Sequence, residues 1–141
     1  MKTVRDILGG KTHAVITTAP TDTVYDALVT MARHDIGALV VLDGSEPAGM
    51  FTERDYARKV ALLGRVSRDV SVAEVMTSAA VVRPGDTVET CMAMMTDCRV
   101  RHLAVCEGGS VTGVVSIGDI VKAMLDEQRF TIERLEHYIV S

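Results

Sequence analysis

Aromatic residues and paired cysteines are scarce in this chain of 141 residues. It contains no Trp, two Phe and three Tyr, so we expect none of the aromatic platforms on which single-stranded nucleic acids stack. A net charge of −4 also argues against a nucleic-acid partner. The three Cys form no CxxC pair, which predicts neither a disulfide framework nor a zinc site and indicates small core residues in a reducing compartment.

Long apolar runs are missing as well. The longest, Ala38 to Leu42, is far too short to cross a bilayer, and no apolar run follows Met1 as it would in a signal peptide. We therefore expect a soluble, cytoplasmic protein that needs no membrane. The hydrophobic fraction is nevertheless 48%, rich in Val, Ala and Met, which is typical of an α/β domain with short buried strands.

Catalytic motifs are absent too. The chain has no HExxH, GxSxG or GxGxxG sequence, and Gly9-Gly10-Lys11-Thr12 lacks the upstream glycine of a phosphate-binding loop. Cys91 falls on a predicted buried stripe, which is a poor place for a nucleophile. We expect no enzymatic activity and no metal requirement.

The chain instead repeats itself. Most of the first half aligns without a gap on residues that lie 64 positions later, and the segment from Val4 aligns at 68, which fits a small insertion near Gly9. Two copies suggest pseudo-two-fold packing, because one copy of this size could hardly bury its own faces. The superposed pairs include Pro20 with Pro84, Thr23 with Thr87, Leu39 with Leu103, Gly49 with Gly113 and Asp55 with Asp119.

Each copy predicts the element order β-α-β-β-α, so we expect an α/β (α+β) fold of two tandem repeats related by a pseudo-two-fold axis. Asp22 or Thr23 can cap the first amphipathic helix, and Asp86 with Glu89 resembles a capping box for the second. The predicted strands are 14–16, 38–42 and 49–51 in the first copy and 80–82, 103–106 and 113–115 in the second; each copy closes with a helix, 56–63 or 120–125.

A separate helical tail is predicted over residues 130–139. Ile132, Leu135 and Ile139 share one face of it, opposite charged residues. This face can pack on its own module or on a second subunit, and the sequence leaves both open. We divide the chain into a first repeat, a second repeat and a terminal helix, residues 1–65, 66–125 and 126–141.

The same polar element follows the hairpin of each repeat. Thr52 and Asp55 stand where a strand ends and a helix begins, as do Ser116 and Asp119. Free N–H groups at a helix start favour a phosphate, and a carboxylate three residues on can accept hydrogen bonds from a ribose diol. A plain helix cap is the alternative and the commonest use of this pattern. Its repetition in both copies favours a ligand site.

A basic cluster precedes the central strand of the second copy. It contains Arg99, Arg101 and His102, and the planar fork of arginine suits phosphate. An ordinary solvated turn is the alternative. The equivalent stretch of the first copy, around Gly37 and Ala38, is small and carries almost no positive charge. We therefore predict unequal repeats, in which the first supplies an open wall and the second supplies phosphate contacts.

Apolar residues before each proline complete the candidate site. Val15, Ile16 and Val81 offer flat surface that can flank a purine, although each can equally be a simple core residue. Arg54, Arg58 and Lys59 add positive charge on the helix that follows Thr52. The candidate nucleotide-binding residues are Val15, Ile16, Gly37, Ala38, Thr52, Arg54, Asp55, Val81, Arg101, His102, Ser116 and Asp119.

In this order the motifs resemble the CBS domain pair, or Bateman module, of bacterial stand-alone proteins, over about residues 3 to 125. The resemblance implies a pseudo-two-fold module that often forms a disc-like dimer. It implies binding of AMP, ADP, ATP, NAD(H) or S-adenosylmethionine between the repeats. It also implies that Asp55 or Asp119 holds the ribose and that Arg101 and His102 reach phosphates.

The resulting hypothesis is a regulatory, non-catalytic sensor of adenine nucleotides, AMP or NAD(H) first, that acts in trans on an unidentified effector protein. A dimerisation scaffold with no physiological nucleotide is the first alternative, and a redox protein that uses Cys98 or Cys106 is the second. We expect Asp55 and Arg101 to face one ligand. The site at Asp119 is expected to be weaker, because Gly118 contributes no side chain there.

Overall fold

The computed structural model describes residues 2–9 and 15–140 and contains two three-stranded sheets of the same topology. In each sheet a short first strand runs parallel to the central strand, which pairs antiparallel with the third. The strands are β1 (Thr17–Thr18), β2 (Ala38–Asp43), β3 (Glu46–Thr52), β4 (Val81–Val82), β5 (His102–Glu107) and β6 (Ser110–Ser116).

Within the described residues, six α-helices surround the sheets. The third continues as a π-helical stretch over Ala57–Ala61, and a short 3-10 turn spans Ser67–Asp69. The predicted order β-α-β-β-α is thus confirmed in both repeats, with an additional short helix ahead of each. The helices are α1 (Val4–Leu8), α2 (Val24–His34), α3 (Glu53–Tyr56), α4 (Val72–Val75), α5 (Val88–Cys98) and α6 (Ile117–Val140).

A hydroxyl caps both long crossover helices. The side chains of Thr23 and Thr87 accept the backbone N–H three residues on, at 3.1 Å in each case. The predicted capping box at Asp86 and Glu89 is therefore wrong. Asp86 lies one residue ahead of the cap, and its carboxylate accepts the backbone N–H of Arg83 at 2.8 Å instead.

The first strand is displaced from its predicted place. It was expected over residues 14–16, of which Ala14 lies outside the described residues, but the strand is Thr17–Thr18. A search for apolar residues missed this strand because both of its residues are threonines. Thr18 is buried, and its hydroxyl is satisfied by donating to the Asp22 carboxylate at 2.9 Å.

The two sheets pack face to face, with helices on their outer sides. Leu39 and Val41 point toward the helices of the first repeat, whereas Ala38 and Val40 pack against Ala104 of the other sheet. Because β2 is buried on both faces, its sequence is a continuous apolar run rather than an alternating one.

Each repeat borrows its leading helix from the other half of the chain. Val4 of α1 packs in the core of the second repeat, and its N–H donates to the carbonyl of Asp86 at 2.9 Å. Val72 of α4 packs in the core of the first repeat, and its N–H donates to the carbonyl of Asp22 at 2.9 Å. The two halves are therefore interlocked.

Each hairpin has a glycine where the borrowed helix and the chain beside it pack, because a side chain there would collide with them. A Cβ on Gly49 would lie 2.7 Å from the backbone carbonyl oxygen of Thr77, and one on Gly113 would lie 2.9 Å from the Cδ1 atom of Leu8. Beside Gly49, Met50 and Thr77 exchange two backbone hydrogen bonds of 2.8 and 2.9 Å. The chain entering the second repeat is thereby held against β3.

The predicted break between the closing helix 120–125 and the tail 130–139 does not exist. Helix α6 runs without interruption through both, because residues 126–129 (Asp-Glu-Gln-Arg) include neither Gly nor Pro. The apolar side chains of the tail are more than half exposed, so this face does not pack on its own module.

Gly49→Ala and Gly113→Ala form a matched pair. We expect Gly49→Ala to lower the free energy of unfolding by about 1–3 kcal/mol, because the new methyl meets a hydrogen-bonded backbone carbonyl. Gly113→Ala should cost less, since the end of the Leu8 side chain can rotate away. Urea denaturation measures both; equal losses would contradict this account of the borrowed helix.

Candidate functional site

A cleft of about 550 Å³ opens between the two repeats. The first repeat supplies one wall from the end of β3, from α3 and from the π-helical stretch. The chain after α4 and the turn from α5 into β5 supply the other. The lining residues are Gly37, Met50, Thr52, Glu53, Arg54, Asp55, Arg58, Lys59, Thr77, Ser78, Arg99, Val100, Arg101 and His102.

Thr52 and Asp55 form a reciprocal cap at the start of α3. The Thr52 hydroxyl accepts the Asp55 N–H, and the Asp55 carboxylate accepts both the N–H and the hydroxyl of Thr52, each at 3.1 Å. The plain-cap alternative is thus real, but the same carboxylate also lines the cleft. Ser116 and Asp119 make the same cap at the start of α6, where Asp119 is exposed.

Asp55 also joins the two repeats. It is 6% exposed and is the one buried charged residue among residues 2–9 and 15–140. Its Oδ1 atom accepts the Thr77 hydroxyl at 2.9 Å and lies 3.1 Å from the Lys59 ammonium. Lys59 in turn donates to the carbonyl of Val75 at 2.9 Å. Asp119 cannot copy this arrangement, because Ala123 stands where Lys59 would be.

The end of α5 positions the basic cluster of Arg99, Arg101 and His102 in the cleft. Arg99 closes this helix in the left-handed conformation, with φ of 54°, and the chain turns directly into β5. Arg101 and His102 follow and line the cleft. The carbonyl of Arg101 accepts the N–H of Ile117 at 2.9 Å, as the carbonyl of Gly37 accepts that of Glu53 at 3.1 Å. Gly37 and Arg101 thus occupy equivalent places, one without a side chain and one with a cation, while the phosphate role predicted for the second repeat stays a prediction.

His102 has a lowered pKa. Burial, which disfavours the imidazolium, is the main cause and outweighs the opposing pull of Asp119 and Glu53, while Arg101 lowers the pKa further. The ring is therefore neutral at pH 7 in the absence of an anion.

A smaller cavity of about 410 Å³ adjoins the cleft, between α5 and α6. The two share Arg54, Arg99, Val100 and Arg101. The rest of the second cavity is largely apolar, and its other lining residues are Met92, Met95, Thr96, Ile117, Ile120 and Val121. The arginines therefore stand between a polar cleft and an apolar one.

The structure brings half of the twelve candidate residues together. Ala38 and Val15 belong to the central core, Ile16 packs on the first outer core, and Val81 is partly exposed elsewhere. Ser116, Asp119 and these four line neither cavity. Their ligand roles stay predictions. The candidates that share the cleft are Gly37, Thr52, Arg54, Asp55, Arg101 and His102.

Sequence reasoning noted Lys59 only as added charge and missed both its ion pair with Asp55 and the role of Thr77. Lys59 follows Asp55 by four residues within a helix, and this spacing is a signal that could have revealed the ion pair. Thr77 has no such signal, because it reaches the cleft only through the exchange of α4.

Burial raises the pKa of the Cys91 and Cys106 thiols, with smaller contributions from Asp86 and Glu46.

The described part of the chain offers neither a metal-binding cluster nor a membrane-spanning helix. Within residues 2–9 and 15–140, no three His, Cys, Asp or Glu side chains are grouped as metal ligands. None of the described helices combines the length and apolar character that crossing a membrane requires.

Thr77→Val tests the link between the repeats. Removing the hydroxyl leaves a buried oxygen of Asp55 with one donor fewer, so we expect a loss of about 1–2 kcal/mol in unfolding free energy. Ser78→Ala, at the adjacent exposed position in the same cleft, should change it by less than about 0.5 kcal/mol. Equal effects in urea denaturation would remove Thr77 from this role.

Comparisons with known proteins agree with this architecture. The family model described as "CBS domain" matches residues 4–62 and 72–126. The mitochondrial CBS domain-containing protein CBSX3 of Arabidopsis thaliana is 44% identical over 124 residues, 84% of this chain, which spans 60% of that protein. The CBS domain-containing protein YhcV of Bacillus subtilis is 30% identical over 121 residues, 85% of this chain and 84% of that protein.

Solved structures show the same fold. A protein with CBS domains from Burkholderia ambifaria superposes with a TM-score of 0.83 at 46% identity, covering 90% of this chain and 96% of that one. CBS pairs are generally regulatory and often bind adenine nucleotides. With two family matches, two equivalent sheets and these relatives, the chain belongs to the CBS-domain family and consists of two tandem CBS repeats.

Proposed function

We propose that this CBS pair is a non-catalytic regulatory module that binds an adenine nucleotide, AMP or NAD(H) first, in the cleft between its repeats. One observation carries the proposal: a buried carboxylate, Asp55, lines the same cleft as Arg101 and His102, which come from the other repeat. The cleft volume is within the ~300–1,000 Å³ typical of small-molecule sites.

The charges in the cleft suit a phosphorylated ligand. Five permanently cationic side chains line it, against the two carboxylates of Glu53 and Asp55. Arginine can bind two phosphate oxygens at once, and α3 begins in the same wall. The basic lining residues are Arg54, Arg58, Lys59, Arg99 and Arg101.

Asp55 accommodates a ribose by exchanging one partner. Its two oxygens already receive contacts from Thr52, Thr77 and Lys59. In the proposal a ribose hydroxyl replaces the Lys59 ammonium, because this side chain is 43% exposed and can turn toward a phosphate. The adjoining apolar cavity supports NAD(H) beside AMP, since it leaves room beyond the arginines.

The competing function is a dimerisation scaffold without a nucleotide. The complete capping of Asp55 favours it, because a cap alone would explain the buried carboxylate. In either case the module acts as a homodimer on an effector protein of unknown identity. Ligand binding separates the two functions.

A thermal-shift panel with AMP, ADP, ATP, NAD, NADH and S-adenosylmethionine tests the proposal. At least one ligand should stabilise the protein, by about 2.7 kcal/mol when its concentration is a hundred times its dissociation constant. Arg101→Gln should weaken that ligand at least about tenfold, since a charged contact to phosphate is lost. Arg83→Gln, an exposed control outside the cleft, should bind normally. If no ligand shifts the unfolding temperature, nucleotide binding is rejected and the dimerisation scaffold is the function supported.

The protonation of His102 gives a second test. Since its pKa is lowered in the folded apo protein, the unfolded chain binds more protons as pH falls below about 6.5, and apo stability should decrease there. A bound phosphate stabilises the imidazolium, so nucleotide affinity should increase from about pH 8 to 6.

Isothermal titration with wild type and His102→Gln, each at several pH values, measures this effect. The variant should show a flatter affinity profile, and titration of the ligand's own phosphate cancels in the comparison. Parallel profiles for the two proteins would place the phosphates away from His102.

A further inference from the structure

Three acceptors hold the Lys59 ammonium inside the cleft. Its Nζ atom lies 3.1 Å from Oδ1 of Asp55, and it donates to the Val75 carbonyl at 2.9 Å and to the Thr77 hydroxyl at 3.4 Å. An ammonium has three N–H donors, so each of them has a partner within the protein. The side chain is nevertheless 43% exposed, so it can turn away from these partners toward the open side of the cleft.

The backbone that carries Lys59 is irregular. Ala57–Ala61 form a π-helical stretch, and the N–H of Leu62 donates to the carbonyl of Ala57, five residues earlier, at 3.0 Å. The corresponding helix of the second repeat, α6, is an α-helix throughout. π-helical turns are rare and are frequently found at functional sites. This one occurs in the repeat whose capping carboxylate has a lysine partner, which indicates a role for that pair beyond capping.

Four contacts saturate the Asp55 carboxylate. Oδ2 accepts the N–H and the hydroxyl of Thr52 at 3.1 Å each, and Oδ1 accepts the Thr77 hydroxyl at 2.9 Å beside Lys59. A carboxylate offers about four lone-pair sites, so these contacts use all of them. The threonine contacts form the cap and the link between the repeats, whereas Lys59 makes a partly exposed ion pair. Lys59 is therefore the partner that a ribose hydroxyl has to displace.

Displacing the ammonium costs its three contacts unless the incoming molecule supplies new ones. A phosphate does so, because it combines negative charge with strong acceptor oxygens. Arg54 and Arg58, in the same wall of the cleft, attract a phosphate to this side. A nucleoside offers a hydroxyl to Asp55 but leaves Lys59 only solvent. Displacement is thus favourable for a nucleotide and unfavourable for its nucleoside.

We propose that Lys59 is a specificity-determining residue, which competes with the ribose for Asp55 and thereby makes the cleft select phosphorylated nucleotides over nucleosides. This selectivity rests on the proposed nucleotide site and names what that site rejects. It also places S-adenosylmethionine below the phosphorylated ligands, because the carboxylate of this molecule is accompanied by cationic groups.

Isothermal titration of wild type and Lys59→Met with AMP, NAD and adenosine tests the proposal. Wild type should bind the better nucleotide at least about a hundredfold more tightly than adenosine. Lys59→Met should bind adenosine at least about fivefold more tightly than wild type does, because the competitor is gone, and should bind the nucleotide more weakly. Lys122→Met, at an exposed lysine outside the cleft, should change neither affinity more than about twofold. A variant that loses nucleotide affinity without gaining adenosine affinity would show a plain phosphate contact and overturn the competition.

Inorganic phosphate tests the same competition in the unaltered protein. Wild type should bind adenosine at least about threefold more tightly in phosphate than in chloride at equal pH and ionic strength, because free phosphate draws the ammonium off Asp55. Lys59→Met should show no such dependence. Adenosine binding to wild type that is independent of phosphate would overturn the competition, even if the variant proved too unstable to titrate.

The outcomes separate this selectivity from the proposed function. If wild type binds no adenine nucleotide, the proposed function is rejected. If it binds one, but adenosine gains affinity neither from Lys59→Met nor from phosphate, only the selectivity is rejected. Tighter binding of S-adenosylmethionine than of every phosphorylated ligand would likewise overturn the selectivity while leaving an adenine site in the cleft.

Discussion

Neither sheet of this protein can close its hydrophobic core with its own repeat. Val4 and Val72, the first residues of the two borrowed helices, are fully buried in the opposite repeat, and each contributes about 1.5–3 kcal/mol of burial. Separating the repeats would expose both cores at once, so they must fold as one unit. The same exchange draws the chain after α4 across β3, where the two hydrogen bonds between Met50 and Thr77 hold it.

The candidate site is a consequence of that exchange. Thr77 reaches Asp55 only because α4 lies on the first repeat, and Lys59 reaches from the first repeat to the carbonyl of Val75. A ligand that contacts Asp55 and Arg101 therefore touches both halves of an interlocked structure. If its affinity differs between two arrangements of the repeats, binding shifts their population, which is how the proposed sensor module would regulate a partner.

Much of this could be predicted from the sequence, because periodicity and repetition report burial directly. The paired glycines Gly49 and Gly113 and the unequal stretches around Gly37 and Arg101 needed no structure to be found. The cap at Thr87 was missed because two adjacent residues could each serve, and geometry decides between them. The first strand was missed because its buried residue is a satisfied threonine.

Other features depend on contacts that are remote in sequence. Nothing local marks Thr77, since its role depends on a helix from one repeat packing on the other. The purine-flanking roles of Val15 and Ile16 stay predictions, because both residues lie against cores that only the packed sheets define. The continuity of α6 could have been predicted from the sequence, since no residue between its two parts breaks a helix.

A crystal structure of the chain, grown with the nucleotide that gives the largest thermal shift, tests the proposed site. We expect one nucleotide between the repeats, with phosphate oxygens within hydrogen-bond distance of Arg101 and a ribose hydroxyl on Asp55 in place of Lys59. A nucleotide bound at Ser116 and Asp119 alone, or none between the repeats, would contradict it.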